Sequence, residues 1–236
     1  TFEQMDRAAE TVSAIIAAQI IPCTLEFLDR TTIHCVEDFA KIGLPLDCEA
    51  LLLIETDGHP AVVKEEAEKM EAICREHGCM EIRVAKDDRE AAKLASARRS
   101  AFSALARLSP TTILEDATVP RSELGHMIRY VAAVAKKYQL KVGTFGHMGD
   151  GKLHPTFLTD ERNTDEMHRI EEAFEDIFKE AIRLGGTITG EHGIGIAKKK
   201  FLPDFAGQTQ MRILKEVRNV LDPKGTLNPG KIFDPI

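Results

Sequence analysis

Aromatic residues are scarce: the chain has no tryptophan and only two tyrosines among its 236 residues, so base stacking is not expected. Positive charge is also outweighed, since the net charge of −7 argues against general affinity for nucleic acids or anionic membranes. No apolar run reaches the length that crosses a bilayer, and the polar start TFEQMDRAAE does not resemble a signal peptide. We therefore expect a globular protein. Because it begins at Thr1 rather than methionine, we expect a fragment of a longer one.

Cysteine usage argues against covalent or zinc cross-linking. The five cysteines form no Cys-x-x-Cys pair, and their number is odd, so a disulfide framework and a zinc ribbon are both unexpected. We interpret them as small core residues in a reducing, cytoplasmic setting.

Hydrophobic spacing predicts alternating strands and helices. The predicted strands are CTLEFLD (23–29), ALLLIETDG (50–58), MEIRVAK (80–86) and TILEDATV (112–119). The predicted helices cover 60–78, 88–108, 120–140, 165–186 and a last segment near 208–221. Such alternation often produces a parallel doubly wound sheet. Here, however, the strands alternate between apolar and polar residues, which is typical of a sheet with one solvated face. We therefore predict an α+β fold with an antiparallel sheet and helices packed on one side.

The segment GHMGDGKLH (146–154) places two histidines beside a strong turn signal. Asp150-Gly151 is typical of a two-residue hairpin turn, because both central positions of a type I′ turn need positive φ. Such a turn would pair His147 with His154 on one face, with Cβ atoms roughly 4.5–5.5 Å apart. Two imidazoles at that spacing can hold one metal ion, whereas a register shift of one residue would separate them.

A second glycine-bracketed segment, GEHGIG (190–195), offers a third ligand. Glu191 is the candidate, because two histidines and one carboxylate leave open positions, as catalytic zinc sites do. The adjacent His192 would then be free to act as an acid or base. The alternative is that both segments are ordinary solvated turns, since most histidines in proteins are not ligands. GEHGIG also does not match the dinucleotide-binding fingerprint.

Three late segments resemble a known family. They are GTFGHMGDGKLHPTFL, GEHGIGIAKK and LDPKGTLNPGKIF, and the earlier IIPCTLEFLD, LLLIETDG and EDATVPRSEL extend the resemblance over nearly the whole chain. The sequence is similar to the C-terminal region of FAD-linked oxidases of D-2-hydroxy acids, such as the glycolate oxidase flavin subunit, D-lactate dehydrogenase and D-2-hydroxyglutarate dehydrogenase. The resemblance implies a ferredoxin-like cap domain over residues 1–200. It also implies a C-terminal helix and tail, 201–236, that return to an FAD domain.

The resemblance also implies roles for individual residues. His147, His154 and Glu191 match the ligands of a divalent metal, which we expect to be zinc. His192 matches the proposed catalytic base that removes the hydroxyl proton while hydride passes to FAD. The implied substrate-binding and cofactor-binding residues are Arg98, which would pair with the substrate carboxylate, and Asn228, which would reach the flavin edge. From the residues alone, Arg98 is equally a solvated helix charge and Asn228 a turn former.

The sequence departs from the family pattern in three respects. Lys152 stands where the family commonly has asparagine, Ala95 replaces a usual tryptophan, and nothing in these 236 residues resembles the pyrophosphate loop of the family's N-terminal FAD domain. The expected partners are therefore a small 2-hydroxy acid and an N-terminal FAD domain. An iron–sulfur subunit and self-association are further expectations, and nucleic acid is not one. The competing functions are a metal-dependent hydrolase using the same residues and a non-catalytic binding module.

Overall fold

The structure is a computed structural model that describes residues 1–234. The helices are α1 Met5–Ala17, α2 Arg30–Ala40, α3 Pro60–Glu76, α4 Asp88–Leu105, α5 Leu124–Lys137, α6 Thr164–Arg183 and α7 Leu202–Leu221. The strands are β1 Thr24–Asp29, β2 Ala50–Glu55, β3 Thr111–Leu114, β4 Ala117–Thr118, β5 Lys141–His147 and β6 Lys152–Thr159. No helix within the described residues has both the length and the apolar character needed to cross a membrane.

The strands form an antiparallel sheet in the order β2-β1-β5-β6-β3, and the short β4 also pairs with β6. Strands β3 and β4 keep one register along β6, because Leu114 pairs with Thr156 and Ala117 with Leu153. The two residues between these strands therefore interrupt the pairing without shifting it. In that register Asp116 stands opposite His154.

Helices cover both faces of this sheet. One core contains Phe27 and Phe157 with residues of α1, α5 and α6, whereas the other contains Leu28 and Leu158 with residues of α2 and α4. Neighbouring strand residues thus enter different cores, as the pleat requires. The predicted antiparallel α+β class is confirmed, but the expectation that helices pack on one side only is wrong.

Buried polar residues explain that difference. The polar positions that alternate with apolar ones on β1, β5 and β6 are buried rather than solvated; they include Glu26, Thr144, His154, Thr156 and Thr159. The alternation that indicated a solvated face instead reflects polar side chains that are buried on both faces of the sheet.

Two predicted strands differ from the structure. MEIRVAK (80–86) forms no strand, and Val84 within it is 62% exposed. The Met80 amide of this segment bonds the Thr1 carbonyl, and the Phe2 amide bonds the Ala50 carbonyl on β2. The N-terminal residues therefore occupy the edge of β2 that this segment would need for pairing. TILEDATV is divided into β3 and β4.

The last helix, α7, agrees with the helix predicted near 208–221. Gly207 has φ 73° and ψ 166°, so α7 is kinked there and runs without interruption only beyond it, as the predicted start near 208 requires. The predicted segment boundary at residue 200 falls just before α7. The last two residues of the predicted tail, 235 and 236, lie outside the described residues.

Candidate metal and substrate site

The β5–β6 connection brings His147 and His154 together, although not through the predicted turn. A short 3₁₀ turn at 148–150 precedes Gly151, whose φ is 74°, and the strands pair Phe145 with His154. The predicted type I′ turn and the direct pairing of the two histidines are therefore wrong. The register differs by two residues, which keeps both histidines on the same face. Their ring centroids lie 5.3 Å apart with the planes at 90°.

Glu191 completes a compact set of donor atoms. Its Oε1 lies 3.7 Å from His147 Nε2 and 3.5 Å from His154 Nε2. One ligand atom from each residue falls within 4.8 Å of the others. Tetrahedral bonds of ~2.1 Å would separate neighbouring ligand atoms by roughly 3.4 Å. The spacing and the chemistry of this set, which we call the His-His-Glu cluster, therefore fit a divalent cation.

The environment of His154 keeps its imidazole neutral. The residue is 2% exposed, and burial, followed by repulsion from His147, lowers its pKa to about 4. A neutral imidazole is the form that binds metals. Its Nδ1 has no hydrogen-bond partner among the described residues.

Glu26 was not predicted, yet it makes two contacts at this site. It is the cross-strand partner of His147 in the β1–β5 pair. Its Oε1 accepts from His147 Nδ1 at 2.6 Å, and its Oε2 accepts from Arg98 Nε at 2.7 Å. Burial by itself would raise the pKa of Glu26, but the hydrogen bonds from His147 and Arg98 lower it. The signal in the sequence was a carboxylate flanked by the apolar Leu25 and Phe27 inside the strand TLEFLD.

Arg98 on α4 reaches the same cluster. Besides Glu26, its Nη2 lies 3.0 Å from His147 Nε2, and its guanidinium carbon lies 5.1 Å from the centre of the Phe145 ring. Its side chain is 25% exposed, so it is a partly buried group rather than a solvated helix charge. Ala95 is half-buried one turn earlier on the same helix.

Asp116, also not predicted, anchors the loop that carries Glu191 and His192. Its Oδ2 accepts from the amides of Gly190, Glu191 and His192 at 2.6, 2.6 and 3.1 Å. Its Oδ1 contacts the ammonium of Lys198, which is 1% exposed. Burial opposes ionisation of Asp116, but the Lys198 ammonium and the loop amides hold its pKa well below the usual range. The backbone bonds turn two consecutive side chains toward the histidines.

His192 lies beside the cluster. Its ring stacks on His154 with centroids 5.2 Å apart and planes 20° apart. Its Nδ1 lies 3.6 Å from Asp116 Oδ1, and its Nε2 lies 3.8 Å from Glu191 Oε1. The side chain is 35% exposed and borders a cavity of about 610 Å³ lined by Phe102, Leu114 and residues 193–198. A small organic molecule could therefore approach His192 from this cavity.

Two further positions from the sequence analysis are Lys152, which adjoins the cluster, and Asn228, which does not bond it. Lys152 places its Nζ 3.7 Å from Glu191 Oε2 and 3.2 Å from Asp150 Oδ2, so a cation adjoins the proposed ligand. Asn228 lies in the tail with φ 45°, and its side chain contacts Lys231. Among the described residues it makes no hydrogen bond to the His-His-Glu cluster.

Comparison with known proteins agrees with this architecture. Residues 1–232 match the family model described as FAD linked oxidases, C-terminal domain, and the chain belongs to this family. It is 53% identical over 232 residues to the glycolate oxidase subunit GlcD of Bacillus subtilis (strain 168), covering 98% of this chain and 49% of that protein. It is 36% identical to GlcD of Escherichia coli (strain K12), covering 98% and 46%, and 31% identical to D-lactate dehydrogenase of Anaerostipes hadrus, covering 98% and 50%. The chain thus spans about half the length of these relatives.

Solved structures with the same fold were also found. The crystal structure of p-cresol methylhydroxylase with substrate bound aligns with a TM-score of 0.71 at 12% identity, over 99% of this chain and 52% of that one. The 4-ethylphenol oxidase of Gulosibacter chungangensis aligns with a TM-score of 0.63 at 14% identity, over 99% and 53%. At these identities the likeness concerns the fold alone.

Proposed function

We propose that the chain supplies the substrate side of the active site in an FAD-dependent oxidoreductase of small D-2-hydroxy acids, of the glycolate or D-lactate type. The observation that carries this proposal is the convergence of His147, His154, Glu191, His192 and Arg98 at one end of β5 and β6. Three of them offer metal ligands, one offers a base, and one offers a fixed cation. The names of the relatives support the substrate class.

The substrate carboxylate is assigned to Arg98, because a guanidinium binds a carboxylate through two parallel hydrogen bonds. The substrate hydroxyl is assigned to the side of the cluster where His192 stands. His192 Nε2 would accept the hydroxyl proton, since Nδ1 faces the Asp116 carboxylate at 3.6 Å. His147, His154 and Glu191 would hold a divalent metal, for which zinc is our proposal.

The two cofactors would supply the remaining chemistry. A divalent metal would lower the pKa of the substrate hydroxyl as a Lewis acid, and FAD would accept the hydride. The sequence offers no dinucleotide-type phosphate loop, so we assign most of the FAD-binding contacts to a preceding domain and only the flavin edge to Asn228. We further propose residues 1–200 as the substrate domain and 201–236 as the segment that returns to the FAD domain.

The names of the relatives support a proposal about the partners of this protein. Because the GlcD relatives are named as subunits of glycolate oxidase, we propose that the protein works in a complex, with an iron–sulfur subunit as the electron-accepting candidate. A cytoplasmic location is part of the same proposal.

Single-residue variants of the full-length flavoprotein test the assigned roles. His192→Ala should lower turnover of glycolate or D-lactate by roughly 10²–10⁴-fold while metal content is retained. His147→Ala should lose metal and turnover together. His168→Ala, at a 73% exposed histidine on α6, is the matched control and should change neither.

Three results would contradict parts of the proposal. Parental turnover in His192→Ala would remove the base assignment, and loss of metal in that variant would make His192 a ligand. Hydrolysis of an ester or amide without flavin reduction would favour the metal-dependent hydrolase. Absence of both activities from the full-length protein would favour a binding module.

A further inference from the structure

We propose that Glu26 is a positioning residue that fixes the tautomer of His147 and tethers Arg98 beside it, so that one carboxylate orients both a proposed metal ligand and the proposed substrate-binding cation. This inference rests on the proposed function for the roles of His147 and Arg98. The orientation of the two side chains is given by their hydrogen bonds to Glu26.

The sheet holds Glu26 against His147. The two residues are paired across β1 and β5, so their side chains leave the same face of the sheet. Neighbouring pairs, Phe27 with Gly146 and Leu28 with Phe145, continue the same register. Glu26 is 8% exposed, and its two carboxylate oxygens have different partners. Its position therefore depends on a central strand pair rather than on a surface loop.

Two independent contacts require the same tautomer of His147. An ionised carboxylate only accepts hydrogen bonds, so His147 Nδ1 must carry the proton that it shares with Glu26 Oε1 at 2.6 Å. A guanidinium only donates, so His147 Nε2 must offer a lone pair to Arg98 Nη2 at 3.0 Å. The lone pair that a metal would need is thus left on Nε2, the nitrogen nearest to Glu191.

The second tether concerns Arg98. Arg98 Nη2 and a cation cannot use the Nε2 lone pair of His147 at the same time. If Nη2 leaves, the bond of 2.7 Å from Arg98 Nε to Glu26 Oε2 still holds the guanidinium at the site. The Nη donors then become available to a substrate carboxylate. Glu26 would therefore keep Arg98 near the cluster both with and without a cation on His147.

The decisive variant is Glu26→Gln, which keeps the shape of the side chain and removes its ability to accept two charge-assisted bonds. Its amide group can donate to His147 Nδ1 and so favour the proton on Nε2. In the metal-free protein, ¹⁵N chemical shifts of the His147 ring, assigned with a His147→Gln variant, should show the Nδ1–H form in the parent. The Nε2–H form should increase in Glu26→Gln. Cobalt(II) affinity, measured by absorbance titration, should fall roughly 10–100-fold.

Glu26→Asp and Glu49→Gln serve as comparison variants. Glu26→Asp retains an ionised acceptor and should keep the Nδ1–H form with a smaller loss of affinity. Glu49→Gln removes a surface carboxylate that binds Arg30 and should change neither readout. If Glu26→Gln fails to fold, the ring shifts of Glu26→Asp decide the question instead, and an Nε2–H form there would overturn the inference.

The failure of this inference can be told apart from failure of the proposed function. An unchanged tautomer and a cobalt affinity within about twofold of the parent in Glu26→Gln would overturn the positioning role even if turnover falls. Conversely, the tautomer shift would support the inference in a protein that oxidises no hydroxy acid, because the ring signal does not depend on turnover.

Discussion

Replacing Asp116 with asparagine should destabilise the protein by several kcal/mol, although the two side chains have nearly the same volume. The aspartate is fully buried and accepts from three consecutive loop amides and from the buried Lys198 ammonium. An amide group has one acceptor oxygen, and its own N–H donors would face other donors. The substitution therefore leaves a buried cation without its main partner.

The expected magnitude follows from that unpaired charge. Breaking a buried ion pair by removing one partner typically costs 3–5 kcal/mol. Glu115 Oε2 lies 3.1 Å from Lys198 Nζ and partly replaces the lost charge, so we expect about 3 kcal/mol, the lower end of that range. For a chain of this size each kcal/mol lowers Tm by about 2–4 °C, which predicts a decrease of about 6–12 °C.

Urea and thermal unfolding of the parent, Asp116→Asn, Lys198→Met and the double variant form a double-mutant cycle. Because the methionine removes the stranded cation, the double variant should recover at least part of the stability lost in Asp116→Asn. A loss below about 1 kcal/mol in Asp116→Asn, or additive effects in the cycle, would refute the argument that this pair is energetically coupled.

Other predictions concern separate parts of the molecule. Arg98→Gln should raise divalent-metal affinity about 3–10-fold, because Nη2 no longer competes for His147 Nε2. A metal titration checks this, with Arg99→Gln as the control, because the Arg99 guanidinium bonds a helix carbonyl instead. Gly146→Ala should cost about 1–3 kcal/mol or more in urea unfolding, since a Cβ would lie 2.3 Å from a backbone oxygen; Gly149→Ala, with its nearest neighbour 3.7 Å away, should be tolerated. The hydrogen bond from Arg183 lowers the pKa of Glu180 from 4.5 to about 2. The ionised Glu180 therefore contributes its full share to the free energy of unfolding above pH 4.5, and this share is lost as the pH falls toward 2. In Glu180→Gln, the free energy of unfolding should therefore fall by about 1–3 kcal/mol less than in the parent between pH 4.5 and 2. Equal slopes of this free energy against pH in the two proteins would refute the prediction.

Local periodicity was sufficient to predict most helices and the strands β1 and β2, whereas β5 and β6 were indicated only by the turn signal between them. The amphipathic spacing of α6 and the apolar run of β2 reflect which residues enter the core, and this information is local. MEIRVAK shows where such reasoning fails: it alternates as a strand should, but a strand also needs a neighbour along its length, and Thr1 bonds it only at Met80 and Glu81. Pairing is a property of the whole sheet and is not written in one segment.

The sequence identified the three residues of the His-His-Glu cluster but not the residues that surround them. Spacing and resemblance drew attention to His147, His154 and Glu191, although the turn that joins the histidines differs from the expected one. Glu26 and Asp116 could not be found in this way, because their importance depends on register and burial. Glu26 lies between apolar residues of β1, and Asp116 lies next to Glu115 in the gap between β3 and β4, so neither position by itself indicates which group the carboxylate will meet.

The pairing of β1 with β5 also has a consequence for how the protein folds. Glu26 and His147 are 121 residues apart, so most of the chain must be collapsed before their contact forms. Closing so long a loop is entropically costly, and contacts of high contact order form slowly. The three residues of the His-His-Glu cluster, by contrast, all lie within residues 147–191, so bringing them together does not depend on closing that loop. A shorter chain that kept residues 100–234 would retain His147, His154 and Glu191, but it would lack the Glu26 carboxylate that bonds His147 Nδ1.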